Sequence, residues 1–469
     1  MDKVRLSALE ALELIIEKDV KPKDALEEKF YSRFERKDRA FLMELVYGVV
    51  RFKITIDWLL SFFLSKPSKL PIRTYNNLRL GVYQIEYMRV PHWAAVDEAV
   101  KIEKKKKGAG AGAGAGAVSN PSLVNAVLRN FIRKEGEIML PPFNENPVEH
   151  ISITASHPAW MIERWIKRFA SCDEALDLAR ANNVPGAITL RVNTLAASRN
   201  DICAVLDSLN VEHELTKRSP YGIRIIRNVD ITYILEHLKG KVLVQDEASQ
   251  LVSILLDPKK GERILDACAA PGGKSTHIAE LTEDGASIIA VDANARKMKL
   301  LTQNVNNLNL KSISPVVADV LNVSFDEPFF DKILLDAPCS STGIIRKNPD
   351  IKYRHRAGSF NEFKVKQVVL LNRLSRLLKK GGILVYSVCS TEEEEGEEAV
   401  EEFLQKNDGC YIIEEGDKVN GIDFSEFRAK ASRSSTKASQ SNFSSSGFFR
   451  TYPHLHGLDG FFMARIKKL

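Results

Sequence analysis

The stretch RILDACAAPGGKS, at residues 263–275, constrains the fold of this chain more than any other. An apolar run that enters a glycine-rich turn and continues into a helix-forming segment predicts a buried strand followed by a helix. The glycines let the main chain approach a ligand closely, and the start of the helix presents free N–H groups and a positive dipole end. A nucleotide-like cofactor would fit such a turn. Taken alone, the pattern also occurs as an ordinary packing turn, so both interpretations stay open at this stage.

Polar residues follow the apolar runs that come after this turn. SIIAVD ends in Asp292 and VVAD ends in Asp319, while later runs deliver Asp336 with Cys339, and then Cys389. Apolar runs that alternate with helical segments predict a parallel sheet, whose carboxyl strand ends meet at one ligand-binding edge. A single carboxylate at a strand end is ordinarily a cap or loop residue, and a single cysteine there is ordinarily a buried packing residue. Five such residues in register predict a functional site at that edge.

The motifs DACAAPGGK, DAPCSSTG and YSVCS, in this order and spacing, resemble the signature motifs of S-adenosylmethionine-dependent RNA cytosine-5 methyltransferases. The match runs from about residue 245 to the C-terminus, and three motifs together are a specific signal. The resemblance implies a Rossmann-like α/β catalytic domain over 245–469 that binds S-adenosylmethionine. The residues that it assigns to the cofactor are Cys268, Ala269, Ala270, Pro271, Gly272, Gly273, Lys274, Asp292, Asp319 and Asp336.

The same resemblance assigns catalytic roles to three residues. It implies that the Cys389 thiolate attacks C6 of cytosine, that Cys339 assists release of the adduct, and that Asp336 hydrogen-bonds the cytosine edge. The reaction needs a thiolate, because C5 cannot attack a methyl sulfonium until a nucleophile has added to C6. Family members often carry Asn within an acidic Glu-Asn-Glu cluster after the third motif, where this chain has Glu-Gly-Glu at 395–397.

The first 140 residues are predicted to form an all-helical bundle. Apolar residues recur at three- and four-residue spacing in RLSALEALELII, DRAFLMELVYGVVRFKITIDWLLSFFL and YNNLRLGVYQIEYM. Periodicity alone indicates a bundle of unspecified purpose. However, ALELI, LRLGVYQIEYM, VPHWAAVDEAVKI and LVNAVLRNF resemble the NusB-like RNA-binding domain that is fused to bacterial methyltransferases of this type. The resemblance therefore implies a NusB-like RNA-binding domain over 1–140.

Two smaller segments are expected before the catalytic domain. Residues 141–185 read as a linker followed by an amphipathic helical segment, SHPAWMIERWIKRFA. Residues 186–244 hold short strand-like runs around the helical NDICAVLDSLN, which predicts a small α/β module. RVNTL in this module matches the family pattern. Arg191 and Asn193 are therefore candidate RNA-binding residues, although either could equally anchor a turn.

The chain also contains a basic loop and two low-complexity tracts. STGIIRKNPDIKYRHR follows the Cys339 strand, and its Arg346 and Lys347 are candidates for contacts with RNA phosphates. The Gly-Ala tract at 108–117 is expected to be a flexible loop, with a silk-like strand as the alternative. The serine-rich stretch at 431–446 is expected to be disordered.

Composition limits the remaining function classes. Lysine and arginine number 67 against 61 acidic residues, and this mild excess tolerates a polyanionic partner without proving one. The chain shows no signal-like N-terminus and no apolar run that could span a bilayer, so a cytoplasmic protein without a membrane partner is expected. The six cysteines lack CxxC spacing, and His454 and His456 lack a third ligand, so no metal site is expected. A monomer is expected.

Together the domains resemble the bacterial RsmB (Sun/Fmu) family of small-subunit ribosomal RNA methyltransferases. The resemblance implies S-adenosylmethionine-dependent methylation of C5 of a cytosine in 16S ribosomal RNA, through a covalent cysteine–C6 adduct. The alternatives are a noncatalytic RNA-binding or ribosome assembly factor, and an enzyme acting on another RNA. Retention of both thiols and the AAPGGK loop disfavours a pure binding protein, because binding has no chemical need for two thiols at one edge. DNA cytosine methylation is disfavoured because DNA enzymes use the proline-cysteine thiol alone.

Overall fold

In a computed structural model, the chain divides into two compact units, residues 1–183 with 348–354 and residues 184–347 with 355–469. The structure describes residues 2–27, 33–104, 119–134, 136–226, 230–325, 328–414, 417–428 and 447–469. The Gly-Ala tract at 108–117 and the serine-rich stretch at 431–446 lie outside the described residues. Within the described residues, no helix is both long and apolar enough to cross a membrane.

The regular elements described in the first unit are helices, as the three- and four-residue spacing predicted. Their bounds are α1 Lys3–Lys18, α2 Pro22–Glu27, α3 Arg36–Arg51, α4 Lys53–Ser61, α5 Ile72–Tyr87, α6 His92–Lys104, α7 Pro121–Arg133, α8 Pro147–Thr154, α9 Ala159–Phe169 and α10 Cys172–Asn183. The apolar stripes of these helices meet in a shared core, where Leu45, Leu78 and Leu128 are fully buried. The periodic run DRAFLMELVYGVVRFKITIDWLLSFFL is divided between α3 and α4, because Phe52 leaves the helical conformation at φ −107° and ψ 19°.

A short segment from the range assigned to the catalytic domain belongs to the first unit. It contains α16, Ile351–Arg354, whose Lys352 side chain is fully buried. The Lys352 ammonium donates hydrogen bonds to the carbonyl oxygens of Arg51 at 3.0 Å and Ser156 at 2.9 Å, and to Asn183 Oδ1 at 2.8 Å. Burial holds the pKa of Lys352 well below its ordinary value. These bonds anchor residues 348–354 within the helical unit.

The second unit begins with the small α/β module. Its elements are β1 Ile188–Val192, α11 Arg199–Ser208, β2 His213–Leu215, β3 Gly222–Ile225, α12 Ile231–His237 and β4 Val242–Val244. The strands form an antiparallel sheet in the order β2-β3-β1-β4. Leu190, Ile202 and Ile223 are fully buried in its core. The sequence predicted this mixture of short strands and helices.

The remainder of the second unit is built on one large mixed sheet. Its principal elements are α13 Glu247–Leu256, β5 Arg263–Asp266, α14 Gly273–Leu281, β6 Ser287–Asp292, α15 Ala295–Asn307, β7 Ile313–Val317, β8 Phe330–Asp336, α17 Phe360–Arg376, β9 Leu378–Val388, α18 Glu397–Lys406, β10 Tyr411–Ile413, β13 Phe448–Thr451, α19 Pro453–His456 and β14 Phe461–Lys468. A separate pair, β11 Lys418–Val419 and β12 Ile422–Asp423, forms a two-stranded ribbon. The large sheet has the order β10-β14-β9-β8-β5-β6-β7, and β13 pairs with β14.

The order of the parallel strands places a switch point beside β5. From β5 the chain moves to β6 and β7 on one side, and then returns to form β8 and β9 on the other side. In doubly wound sheets, ligands bind at the carboxyl strand ends beside such a reversal. Asp266 and Asp336 close β5 and β8 at this position. The Rossmann-like prediction is therefore confirmed. At the C-terminal end, Phe461 and Phe462 of β14 pair with β13.

Candidate active site

The turn between β5 and α14 has the tight geometry that its glycines predict. Gly272 adopts φ +98°, a left-handed conformation that glycine occupies without strain. A Cβ atom at this residue would lie 2.7 Å from Cγ of Leu301, so the position also lacks room for a side chain. The Gly272 amide closes the turn by donating to the Ala269 carbonyl at 2.8 Å. The turn therefore leads directly into the start of α14, whose first amides have no partner within the helix and can bind a ligand.

The acids predicted at the strand ends are each fixed by local hydrogen bonds. Asp292 accepts from the Ala270 amide at 3.1 Å, which ties the end of β6 to the glycine turn, and from the Asn294 amide at 2.8 Å. Asp319 is exposed and accepts from the Leu321 amide at 3.0 Å. Both carboxylates keep further lone pairs that could accept ligand hydroxyl or amino groups.

Asp336 stands between a lysine and a serine at the end of β8. Lys274, in the first turn of α14, brings its ammonium to 2.6 Å from one Asp336 carboxylate oxygen. The Ser387 hydroxyl donates to the other oxygen at 2.7 Å. Since Ser387 pairs with Asp336 across β8 and β9, these bonds connect the glycine turn to both strands that precede the cysteines.

Asp266 provides a test of whether the site suits a cationic cofactor. This residue is 1% exposed, and its Oδ2 atom accepts from the Ser275 hydroxyl at 2.6 Å. Its Oδ1 atom has no hydrogen-bond partner among the described residues. Burial raises the pKa of Asp266 to about 7, and the neighbouring Asp336 and Asp292 charges contribute to the increase. An orphaned buried carboxylate oxygen at the start of the glycine turn fits S-adenosylmethionine, which carries an ammonium and a sulfonium.

Cys268, the first residue of the assigned cofactor loop, is partly buried. Burial and the surrounding aspartates raise the pKa of its thiol. Cys268 is therefore neutral at physiological pH, as a packing or contact residue of the turn would be.

The two cysteines that follow β8 and β9 are in direct contact. The sulfur atoms of Cys339 and Cys389 are 3.3 Å apart, although the residues are 50 positions apart in the sequence. Cys389 is also 3.5 Å from the Ser341 hydroxyl oxygen. The hydrogen bond from Cys339 lowers the pKa of Cys389, while the same bond together with burial raises the pKa of Cys339 well above its ordinary value. Cys389 is therefore the more acidic thiol of the pair.

Three family models match the chain. The 16S rRNA methyltransferase RsmB/F model matches residues 253–467, the NusB family model matches 2–133, and the RsmF/B-like methyltransferase ferredoxin-like domain matches 157–232. The probable ribosomal RNA small subunit methyltransferase B of Bacillus subtilis is 34% identical over 437 residues, which cover 92% of this chain and 91% of that protein. The chain belongs to the RsmB/F family of 16S rRNA methyltransferases.

Two further comparisons agree with the RsmB/F assignment. The ribosomal RNA small subunit methyltransferase B of Escherichia fergusonii is 32% identical over 88% of this chain and 92% of that protein. A solved methyltransferase homolog from Pyrococcus horikoshii shares 28% identity with a TM-score of 0.57, and covers 69% of this chain and 99% of that one. The assignment confirms the NusB-like and Rossmann-like domains and S-adenosylmethionine as the cofactor.

Glu395 is a buried residue of this RsmB/F-family site for which sequence analysis assigned no role. Its carboxylate accepts from the Ser340 amide at 2.7 Å, from the Ser340 hydroxyl, and from the Ser390 hydroxyl at 2.5 Å. Ser340 and Ser390 directly follow Cys339 and Cys389. The acidic run TEEEEGEE alone does not distinguish Glu395 from its neighbours, so the sequence held no signal for this contact.

Gly396 marks the departure from the family's Glu-Asn-Glu cluster, and the structure explains it. A Cβ atom at Gly396 would collide with the guanidinium of Arg450. Arg450 forms a buried ion pair with Glu397 and donates to the Ser390 carbonyl at 3.3 Å. In this chain, therefore, the Arg450 guanidinium lies where a side chain at residue 396 would begin, and it supports the segment that follows Cys389.

The structure corrects the RNA-binding prediction for Arg191. Arg191 is fully buried, and all five of its guanidinium donors are used within the protein. Nε and Nη2 contact the Glu280 carboxylate at 2.9 and 2.7 Å, and Nη2 also donates to Thr276 at 2.9 Å. Nη1 donates to Gln245 Oε1 and to the Gly273 carbonyl, each at 2.5 Å. Arg191 thus anchors the cofactor turn, which is the alternative that the sequence left open.

Asn193 likewise anchors a turn and is 1% exposed. Its amide nitrogen donates to the Gly240 carbonyl at 2.9 Å, and its Oδ1 atom accepts from the Leu195 amide at 3.2 Å. Burial with satisfied hydrogen bonds leaves this side chain unavailable to RNA in this conformation.

Arg346 and Lys347 were also predicted to contact RNA, but the structure neutralises both. Arg346 Nε is 2.6 Å from Asp459 Oδ1, and Lys347 Nζ is 2.5 Å from Asp246 and 2.7 Å from Asp459. The two aspartates raise the pKa of Lys347 against the opposing effect of its burial. Two basic side chains that are paired with two carboxylates present little net charge to a phosphate. These ion pairs therefore hold the loop in place instead of binding RNA.

Proposed function

We propose that this chain methylates C5 of a cytosine in 16S ribosomal RNA through a covalent adduct between Cys389 and C6. The observation that carries the proposal is the 3.3 Å contact between the Cys339 and Cys389 sulfurs, beside Asp336 and Lys274, at the ligand-binding edge of the sheet. A noncatalytic RNA-binding protein would have no use for a thiol pair at this edge, and the RsmB/F assignment supports a reaction on 16S rRNA.

Cys389 is assigned as the nucleophile. Its pKa is the lowered one of the pair, so it supplies more thiolate at neutral pH than Cys339 does. Addition of the thiolate to C6 forms the carbon–sulfur bond and moves electron density to C5. Asp336 accepts a hydrogen bond from the cytosine edge, and the Lys274 ammonium beside it holds positive charge near the ring as negative charge develops.

Cys339 is assigned to the second half of the reaction. After methyl transfer, a base removes the C5 proton, the carbon–sulfur bond breaks, and Cys389 leaves as a thiolate. Cys339, with its sulfur 3.3 Å from the leaving sulfur, is placed to assist that release. Its raised pKa keeps Cys339 a neutral thiol, which can donate a hydrogen bond to the Cys389 sulfur as that sulfur leaves as a thiolate.

The glycine turn and the strand-end acids are assigned to the cofactor. S-adenosylmethionine supplies an electrophilic methyl group when it is bound. We assign residues 268–274 to its amino acid portion, Asp292 to the ribose hydroxyls and Asp319 to the adenine amino group. The observations that support this set are the left-handed conformation of Gly272 at the start of α14, the bond between Asp292 and Ala270, and the exposure of Asp319.

The substrate is expected to be structured RNA with an unpaired or flippable cytosine, because C5 and C6 cannot be reached inside a stacked helix. The NusB-like part is assigned to RNA binding, and affinity should fall steeply with salt because phosphate contacts release counterions. A cytoplasmic location, expected for an enzyme of ribosomal RNA, remains a prediction.

Separate Cys→Ala variants test the proposal. Each is incubated with RNA and S-adenosylmethionine and examined for a protein–RNA adduct that survives denaturation. Cys389→Ala should give neither adduct nor methylated product, and Cys339→Ala should accumulate adduct, because it attacks but releases slowly. Cys410→Ala, which removes an exposed thiol outside the site, is the matched control and should behave as wild type. The reverse pattern would assign the attack to Cys339, and full activity of Cys389→Ala would reject the adduct mechanism.

A further inference from the structure

The two catalytic thiols lie on separate segments that need a common support. Cys339 follows β8 and Cys389 follows β9, and each is the residue before a serine. The thiol–thiol hydrogen bond cannot hold the segments together by itself, because sulfur is both a weak donor and a weak acceptor. The pairing of β8 with β9 ends at Asp336 and Ser387. Contacts beyond that pair, such as the bond from the Gly343 amide to the Cys389 carbonyl at 3.0 Å, must therefore fix the sulfur separation of 3.3 Å.

The Glu395 carboxylate makes further contacts between the two segments. It accepts from the amide and the hydroxyl of Ser340 on one segment and from the hydroxyl of Ser390 on the other. The two serine oxygens are themselves 3.2 Å apart. Hydrogen bonds to an ionised acceptor are short and about twice as strong as neutral ones, so one carboxylate holds the residues next to both sulfurs.

Glu395 is itself held from two directions. The Tyr386 hydroxyl donates to the Glu395 carbonyl at 2.6 Å, which fixes its main chain. Gln367 Nε2 lies 3.4 Å from the Glu395 carboxylate and donates to the Pro338 carbonyl at 3.0 Å, directly before Cys339. Glu395 is fully buried, so its position responds to these contacts rather than to solvent. The residue is consequently a rigid fixed point for both segments.

We infer that Glu395 is a positioning residue that sets the separation of the Cys339 and Cys389 sulfurs. It acts through Ser340 and Ser390 and is not assigned any contact with the RNA or the cofactor. The inference rests on the proposed function, since the sulfur separation matters for methylation only if these thiols carry out the reaction. The separation itself can be measured without RNA, which makes the two claims independently testable.

Three variants test the inference. Glu395→Ala removes the carboxylate, and Glu395→Gln keeps one acceptor oxygen at nearly the same size. The matched control is Glu398→Gln in the same acidic run, because Glu398 is exposed and pairs only with Lys364 at 3.0 Å among the contacts described. Circular dichroism and thermal melting establish which variants fold.

The first readout is the thiol pair in the absence of RNA. Diamide should close a Cys339–Cys389 disulfide in the wild type, and closure should slow on the order of tenfold in Glu395→Ala, because disulfide geometry tolerates little displacement. The pH midpoint for alkylation of Cys389, followed by mass spectrometry, should move upward as the hydrogen bond from Cys339 is lost. Glu395→Gln should lie between wild type and Glu395→Ala, and Glu398→Gln should match the wild type.

The second readout is methylation. In Glu395→Ala, kcat should fall about 100-fold, as displacement of reacting groups by about 1 Å can produce, while KM for RNA and the Kd of S-adenosylmethionine stay within about twofold. If the folded variants keep the wild-type alkylation midpoint and disulfide rate, the inference is wrong. If Glu395→Ala does not fold, the comparison of Glu395→Gln with Glu398→Gln decides the question in the same way. Altered thiol coupling in a protein whose Cys389→Ala variant still methylates RNA would retain the positioning role and reject the proposed function.

Discussion

Replacement of Arg191 by alanine should weaken the cofactor site without any direct loss of an RNA contact. Arg191 and Glu280 form an ion pair at 2.7 Å, with 0% and 2% of their side chains exposed. Burial raises the pKa of Glu280, and Arg191 opposes that increase. The substitution therefore leaves a buried carboxyl group without its charge partner. It also removes one donor from the Gly273 carbonyl in the cofactor turn, which keeps only the longer bond from the Thr276 hydroxyl, at 3.2 Å, among the side-chain contacts described.

The size of the expected loss of stability follows from the burial of this ion pair. Removal of one partner of a buried ion pair costs about 3–5 kcal/mol, because the other charge stays uncompensated. For a domain of this size, roughly 2–4 °C of melting temperature corresponds to each kcal/mol, so Arg191→Ala should lower the melting temperature by ~10 °C. Looser anchoring of the Gly273 carbonyl should also raise the Kd of S-adenosylmethionine by roughly tenfold, which is the effect of losing about 1.4 kcal/mol of binding free energy.

Thermal melting and calorimetric titration with S-adenosylmethionine measure both effects. Arg224→Ala is the matched control, since Arg224 lies on β3 of the same sheet and pairs with Glu214 at a more exposed site. Its loss should cost at most about 1 kcal/mol. A double variant, Arg191→Met with Glu280→Met, should recover stability but not cofactor affinity, because both charges are removed while the turn stays unanchored. Lower RNA affinity in Arg191→Ala, with unchanged melting and cofactor affinity, would refute this reasoning and restore Arg191 as an RNA contact.

Three other predictions concern the site and its surroundings. Asp292→Ala should raise the Kd of S-adenosylmethionine roughly ten- to hundredfold, through loss of charge-assisted hydrogen bonds, and unchanged affinity in calorimetry would reject the ribose assignment. Diamide treatment of the wild type should produce a Cys339–Cys389 disulfide, abolish methylation and be reversed by dithiothreitol; no such linkage by mass spectrometry would contradict the 3.3 Å separation of the sulfurs. His277 is buried, and burial lowers its pKa well below 6.5, so the unfolded chain binds a proton that the folded chain does not. Stability should therefore be lost as the pH falls below about 6.5, by up to about 1.4 kcal/mol per pH unit. His277→Phe should remove that component, and denaturant titrations at acidic and neutral pH that show the same slope in wild type and variant would contradict the assignment.

The principal elements of the fold and the thiol pair could be predicted from the sequence, because they depend on local patterns. Apolar runs that alternate with helical segments predict a parallel sheet, and the carboxyl ends of parallel strands share one edge whatever lies between them. The positions of Asp292, Asp336, Cys339 and Cys389 after such runs therefore implied proximity before any distance was known. The parallel pairing of β8 and β9 brings both cysteines to the same edge, where their sulfurs are 3.3 Å apart.

The roles of the basic residues were decided only by the tertiary structure. Arg191 meets Glu280 at a separation of 89 residues, and Arg346 meets Asp459 at a separation of 113. The sequence around a basic residue does not show whether its side chain will face solvent or a buried carboxylate. Of the two roles that the sequence left open for Arg191, the structure favours the turn anchor, because its partner Glu280 lies on a helix distant in sequence.

At the active site, Glu395 is another residue whose role was decided only by the tertiary structure. The sequence by itself determined that two thiols and an acid follow neighbouring strands, since strand ends are local features. It did not determine which carboxylate of an acidic run turns inward, because the run is uniform in charge and the Ser340 amide that selects Glu395 lies 55 residues away. The tertiary structure determines which carboxylate is buried, since a buried carboxylate is stable only where enough hydrogen-bond donors surround it.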